Sequence, residues 1–210
     1  EDRMFKLYYS PGACSLASHI ALVDSGAPYE LQRVDFGKGE QRQPDYLAIN
    51  AKGRVPVLET PQGRLTETPA ILAFIAQSAP DRNLAPSDPF AFAEVQAFNS
   101  YLCSTVHVAH AHRMRGHRWA SDESSFEDMR RNIPRSVGDA FALIETQFLR
   151  GPWVMGEAYT IADSYLFTVS LWLDGDGVDL SKLPRVMDHR ARMSALANVK
   201  RALTEEGVAA

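Results

Sequence analysis

The 210-residue chain is 45% hydrophobic and 23% charged, with a formal net charge of −4 at pH 7. Those proportions supply a core for one or two domains and exclude wholesale disorder. No run approaches the ~18 apolar residues of a spanning helix, and a net acidic chain lacks the basic balance of a nucleic-acid binder.

Glu1, Asp2 and Arg3 precede Met4 and read as a leader of no structural weight, with no apolar signal region behind them. Phe5 to Tyr9 is an aromatic-rich run that predicts a strand, stopped by Ser10-Pro11-Gly12. From Ser15 to Ser25, Leu16, Ile20, Leu22 and Val23 recur at helical spacing, with Gly26 as the cap and Pro28 beyond it. Tyr29 to Phe36 alternates and predicts a second strand, so the chain opens as strand, helix, strand. Gly37 to Pro44 is polar and loop-like, and Tyr46, Leu47 and Ile49 predict a short helix closed near Asn50 and Gly53. Arg54 to Leu58 predicts a strand broken by Pro56. Arg64 to Thr66, across a Gln62-Gly63 turn, completes a hairpin. A helix over Pro69 to Ser78 buries Ile71, Leu72, Phe74 and Ile75.

Pro80, Pro86 and Pro89 mark a linker over 79–89, which divides the chain into residues 4–80 and 89–210. The second part predicts helices alone: one long helix from Phe90 to about Arg118, then Phe126 to Leu149, Ile161 to Leu173, Pro184 to Leu196 and Val199 to Glu205. Thr160 with Asp163 three residues on is a capping box, which makes Asp163 a folding residue rather than a catalytic acid. Trp119, Trp153 and Trp172 are anchors of core or pocket wall.

Two cysteines, Cys14 and Cys103, are too few for a disulfide framework and suit a reducing, cytoplasmic setting. Cys14 lies where a strand has ended and a helix begins. The first N–H groups of a helix lack internal partners and carry partial positive charge, so a thiolate there is stabilised and its pKa falls. The same donors can hold the sulfur of a bound thiol, and Ser15 offers a hydroxyl to either sulfur. Cys103, among Tyr101, Leu102 and Val106, reads as core packing, and no Cys-x-x-Cys pair is present. Val55-Pro56 interrupts a strand at its start, and a cis bond there would free a bare edge for a peptide-like ligand. Thr66-Glu67-Thr68-Pro69 opens a helix whose N–H groups and threonine hydroxyl suit a carboxylate, while Glu67 suits an ammonium. Capping and edge-strand chemistry alone would account for each motif. Jointly they describe a ligand with a thiol, a peptide-like middle and an amino-acid end, as in glutathione.

Tyr8-Tyr9-Ser10-Pro11-Gly12-Ala13-Cys14-Ser15-Leu16, Val55-Pro56-Val57-Leu58 and Thr66-Glu67-Thr68-Pro69-Ala70-Ile71 resemble the glutathione S-transferase family, in particular its bacterial beta class. The likeness runs from about Met4 to Gly207 and includes Thr160-Ile161-Ala162-Asp163 and the ending from Asn198-Val199 to Glu205-Glu206-Gly207. It implies an α/β thioredoxin-like N-terminal domain plus an all-α C-terminal helical bundle. It implies that Cys14 meets the glutathione sulfur and can form a mixed disulfide with it. Val55 would bond the cysteinyl backbone, Pro56 would be the cis proline, and Glu67 and Thr68 would hold the γ-glutamyl end. Lys38 would reach the glycyl carboxylate, and His107 would face the thiol from the bundle. Two departures stand out: Val108 replaces a lysine common after that histidine, and Ser100, beside Asn99, falls where an asparagine is usual. Pro11-Gly12-Ala13 does not match the Ser-Ser-Cys opening of the maleylacetoacetate isomerase branch.

His107, His110, His112 and His117 crowd one predicted helix, but His110 and His112 are ~200° apart and cannot converge on one ion, so no metal is expected. With Arg113, Arg115 and Arg118 they form a basic helix end, either solvated or lining a second-substrate pocket. His107 is the exception, as a donor to a thiolate or as a base. The reading is a homodimeric, cytoplasmic transferase of detoxification that joins glutathione, as co-substrate without a cofactor, to small hydrophobic electrophiles. Thiol–disulfide reduction through Cys14 could accompany it. The rivals are a glutathione-dependent dehalogenase, isomerase or reductase, a non-catalytic ligand-binding relative, and a cysteine hydrolase on Cys14 and His107 that lacks an orienting Asn or Asp.

Overall fold

The computed structural model describes residues 4–209, so the leader assigned to Glu1–Arg3 lies outside the described residues. Strand β1 (Phe5–Tyr9), helix α1 (Ser15–Ser25) and strand β2 (Tyr29–Arg33) form the opening unit, with β1 and β2 parallel. Gly26 ends α1 at φ 70°, where only glycine avoids a Cβ clash, and its N–H bonds Val23 O at 3.2 Å. A short helix α2 (Pro44–Leu47) precedes the antiparallel hairpin of β3 (Val57–Thr60) and β4 (Gly63–Thr66), and helix α3 (Thr68–Ser78) follows. The sheet order is β2-β1-β3-β4.

Two strand boundaries differ from the sequence reading. The second strand stops at Arg33 rather than Phe36, because the Asp35 carboxylate accepts from Gly37 N (2.9 Å) and Lys38 N (3.3 Å) and turns the chain off the sheet. The third strand starts after Pro56 rather than at Arg54. The Arg54 carbonyl is taken by Tyr46 Oη (2.7 Å) and Asn50 Nδ2 (2.8 Å), and Pro56 has no N–H to offer a ladder.

The remaining helices are α4 (Pro89–Tyr101), α5 (His107–Arg115), α6 (Glu123–Leu143), α7 (Ile161–Ser170), α8 (Pro184–Ala195) and α9 (Ala197–Glu206). The predicted long helix from 90 to 118 is continuous in path. It contains a π-helical turn over Leu102–Val106 and a final 3₁₀ turn over Gly116–Arg118. Five residues in one wide turn shift the phase of everything after it. Cys103, expected to pack in the core, stands at its margin: it packs against the main apolar cluster and is half-buried at a cleft, with Sγ 3.3 Å from Ser100 O.

Every residue of α7 is buried, and α7 packs on α1, α4 and α8. Its capping box is present: Thr160 N–H donates to Asp163 Oδ2 at 2.7 Å and Thr160 Oγ1 accepts from Ala162 N. One apolar cluster runs from Leu7, Leu58, Ile71 and Ile75 under the sheet to Val95, Phe141 and Leu166 among the helices. Phe74 stands at the margin of that cluster rather than inside it. Each such Leu or Ile contributes about 1.5–3 kcal/mol by leaving water. Among the described residues, no helix is long and apolar enough to cross a membrane.

Candidate functional site

A cleft of about 970 Å³ opens between the sheet side, with Cys14, Val55 and Thr68, and the helical side, with His107, Tyr165 and Trp172. The β1–α1 loop that carries Cys14 is tied from two directions. Gly12 N–H donates to Glu206 Oε2 at 3.0 Å, and Trp172 Nε1–H donates to Gly12 O at 2.9 Å. Gly12 holds φ 69°, so the loop's geometry depends on a residue without a Cβ. His19, fully buried in α1, lies 2.8 Å from Glu205 and 3.0 Å from Glu206, which fastens α9 behind the same loop.

Cys14 is 8% exposed, and its Sγ–H donates to Val55 O at 3.4 Å. Burial pushes the Cys14 thiol up from its ordinary value, and the Thr68 hydroxyl and the Arg115 charge oppose that only in part. The expectation of a lowered pKa is therefore overturned. Partial charge at the helix start acts on an accessible sulfur, whereas here desolvation dominates. Ser15 is also placed differently. It is fully buried, and its hydroxyl exchanges hydrogen bonds with Ser10 N (3.2 Å) and Ser10 O (3.3 Å), so it shapes the loop and does not face a ligand.

At the start of α3, Glu67 holds φ 72°, an uncommon backbone for a residue with a side chain, and presents an exposed carboxylate. Lys52 Nζ meets Glu67 Oε1 at 2.5 Å and Thr66 Oγ1 at 2.8 Å. Thr68 is buried and lines the cleft together with Cys14 and Tyr165. The Val55–Pro56 peptide is cis, as the family resemblance implies.

His107 follows the π turn, lines the cleft and stands 5.0 Å from the Trp172 ring centroid. Burial first, then Arg115, His110, Arg118 and Arg54, push its pKa down to about 3. It is a neutral N–H donor and a weak base, which favours the donor over the base of the two roles expected for it. His110 Nδ1 lies 2.7 Å from the buried Asp176 carboxylate, and its ring stacks on Trp172 at 4.3 Å. His112 instead stacks on Trp119 at 4.0 Å. Among the described residues no group of three His, Cys, Asp or Glu side chains gathers as a metal site.

The depressed His107 pKa makes a prediction about stability. The unfolded imidazole takes up a proton below its ordinary value of 6.5, whereas the folded one stays neutral until about 3. Stability falls as pH drops through that window. Denaturant unfolding at pH 7.5 and pH 5 is expected to show a smaller loss for His107→Gln than for the native chain. Equal losses would remove His107 from the acid response.

Cys14, Val55, Pro56, Glu67, Thr68 and His107 all line the one cleft. Lys38 does not: its side chain is 76% exposed, 3.8 Å from Asp35, on the loop that leaves the sheet edge. Asn99 is fully buried outside the cleft lining, and Val108 lies within that lining. The sequence reading did not single out Lys52, Tyr165, Arg42 or Arg54. Arg54 directly precedes the Val-Pro pair, which was a usable signal; Tyr165 looked like any core aromatic of a buried helix.

Residues 4–77 match the family described as Glutathione S-transferase, N-terminal domain. The chain is 33% identical over 206 residues to glutathione S-transferase GstA of Escherichia coli O157:H7, with 97% of this chain and 99% of that protein covered. A solved glutathione transferase homologue from Sulfitobacter, with bound glutathione, aligns with a TM-score of 0.94 at 47% identity, covering 98% of this chain and 99% of that one. A bacterial beta-class glutathione S-transferase from Sphingomonas chungbukensis aligns with a TM-score of 0.83 at 32% identity, covering 97% and 100%.

Proposed function

This chain belongs to the glutathione S-transferase family and is a beta-class-like glutathione transferase; from that premise we propose how its cleft holds glutathione and activates it. The observation that carries the reading is the meeting of three unlike groups in one cleft. Cys14 Sγ–H donates to the strand-edge Val55 carbonyl, and Thr68, at the start of α3, lines the cleft beside them. A tripeptide laid along Val55 puts its γ-glutamyl end on α3 and its sulfur at Cys14. The ammonium pairs with Glu67, and the carboxylate beside it meets Lys52, Thr68 and the free N–H groups of the first turn. The glycyl carboxylate extends toward Arg54.

In this scheme residues 4–80 bind glutathione and residues 89–210 supply the electrophile wall. The glutathione thiolate is stabilised by N–H and O–H donors, His107 and Thr68 among them. The proton leaves to solvent, because a histidine pushed to about 3 does not keep it. The sulfur then forms a bond to the electrophilic carbon, and the leaving group departs with its electron pair. Glutathione is the co-substrate, and no cofactor enters the scheme. Free Cys14 and Cys103 suit a cytoplasmic, reducing setting, and a role in detoxification follows from the reaction. The protein works as a homodimer in this reading; Phe90, 75% exposed on α4, is apolar surface that a second copy would cover.

Calorimetry tests the binding scheme. Glutathione is expected to bind the native chain with measurable heat at millimolar or lower concentration. Glu67→Gln is expected to weaken it about tenfold or more, since a charge-assisted bond to the ammonium is worth about 1.5–3 kcal/mol. In turnover the same change raises KM more than it lowers kcat. No heat from glutathione, or an unaffected Glu67→Gln, would overturn the scheme.

A further inference from the structure

Four arginines line the cleft: Arg42, Arg54, Arg115 and Arg118. Among the described residues none of the four meets a carboxylate, whereas Arg130, Arg190 and Arg192 each do. The single acid of the described lining is Glu67, and Lys52 already engages it. Three of them sit close enough to act on the fourth. Besides burial, Arg54, Arg115 and Arg42 all disfavour the charge on Arg118, and Arg115, Arg118 and Arg54 bear on His107. This concentration of positive charge occurs in a chain whose net charge is −4.

Bound glutathione does not neutralise it. In the scheme above, the γ-glutamyl ammonium and carboxylate are matched by Glu67 and Lys52. The thiolate and the glycyl carboxylate bring two negative charges. Four arginines minus two leaves two cations facing the place where the second substrate must sit. Arg115 and Arg118 lie on the helical side, with Met114 and Trp119 beside them in the chain and in the lining. Both neighbours are exposed apolar surface, at 77% and 46%.

We propose that the electrophile carries an anionic group, a carboxylate or its equivalent, which Arg115 and Arg118 hold while its apolar body rests on Met114 and Trp119. The proposal rests on the glutathione scheme and deepens it, because it names the chemical class of the second substrate. Arg115 and Arg118 are specificity-determining residues in this assignment, and the bond-making step stays with the glutathione sulfur.

The test uses two substrates of the same shape, 4-chloro-3,5-dinitrobenzoate and the neutral 4-chloro-3,5-dinitrobenzamide. In both, the glutathione sulfur bonds to the chlorine-bearing carbon, the C–Cl bond breaks, and chloride leaves with the electron pair. Each kcat/KM is divided by the uncatalysed rate with free glutathione, which removes the difference in intrinsic reactivity. The expected ratio favours the acid about tenfold or more at low salt. It shrinks as ionic strength rises, and it approaches one in the Arg115→Gln, Arg118→Gln double variant. A ratio of one or less in the native chain overturns the proposal, as does a salt-independent ratio, and neither result depends on whether the variant folds. A double variant that is folded by circular dichroism and keeps the full ratio overturns it as well. Conjugation of the amide without preference for the acid would leave the glutathione scheme standing. Turnover of neither compound would overturn that scheme and the proposal with it.

Discussion

Replacing Cys14 with alanine is expected to lower glutathione-dependent disulfide reduction by at least about a hundredfold in kcat/KM, while conjugation falls by less than about tenfold. The two reactions ask different things of the same sulfur. In reduction, the Cys14 thiolate attacks a glutathione-containing disulfide, a new S–S bond forms, and a thiolate leaves. A glutathione thiolate then attacks the mixed disulfide and restores Cys14, so glutathione supplies the electrons. Alanine has no sulfur for either step. In conjugation the nucleophile is glutathione's own sulfur, and Cys14 contributes one weak donor among several, with His107 and Thr68 remaining. The pH dependence follows from burial. The Cys14 thiol is pushed above its ordinary value, so reduction should climb with pH through and beyond 9 without a plateau near neutrality. Stopped-flow turnover of a mixed glutathione disulfide, native against Cys14→Ala, decides the matter. Retained reduction in the variant would place that chemistry elsewhere, and a plateau below pH 7 would show that bound ligand reverses the effect of burial.

That correction marks how much of the site was legible. Signals that act over a few residues survived intact: Gly26 at the end of α1, the capping box at Thr160, and Pro69 in the first turn of α3. Cys14, Val55, Glu67 and Thr68, which line the cleft, were singled out because each sits at such a local signal, the end of a strand or the start of a helix. Their convergence in one cleft was read from their joint order. The cysteine's pKa was misjudged because sequence reveals a helix start but not the depth of burial, and at 8% exposure desolvation outweighs the dipole. Periodicity predicted a helix through 118, yet it carries no mark of the π turn at Leu102–Val106, and it did not show that Cys103, packed at the core's margin, also lines the cleft. Arg115 and Arg118 were read as a basic helix end that could line a second-substrate pocket, but their meeting with Arg42 and Arg54, and the place of Tyr165, were out of reach for another reason. Arg42 and Arg54 come from the sheet side, Arg115 and Arg118 from α5 and the turn after it, and Tyr165 from α7. Only tertiary packing makes them neighbours, and a single chain's pattern does not encode which of many exposed arginines will meet.

The largest stability effect is expected away from the cleft, at Asp163. Its carboxylate is fully buried and accepts three short hydrogen bonds from groups of different origin, Val154 N at 2.8 Å, Thr160 N at 2.7 Å and His189 Nε2 at 2.9 Å, besides a longer one from Thr160 Oγ1 at 3.4 Å. It therefore joins the loop before α7, the first turn of α7 and helix α8. Asp163→Ala leaves all three donors buried without a partner. An orphaned buried donor costs about 1–3 kcal/mol, and because the three relax together the total is expected near 4 kcal/mol rather than their full sum. For a chain of this size that lowers Tm by about 10 °C. Asp163→Asn keeps the volume, but one of its two terminal atoms becomes a donor that faces another donor, so an intermediate loss is expected. Asp163 does not line the cleft, so conjugation per folded molecule, measured well below Tm, should be unchanged. The double change Asp163→Asn with His189→Gln should recover part of the loss if the His189 contact carries real energy, because it removes one mismatched pair. A calorimetric Tm within about 2 °C of the native chain for Asp163→Ala would show that water or rearrangement satisfies these donors, and a kcat deficit in the cold, folded variant would give Asp163 a role in the chemistry that its position denies it.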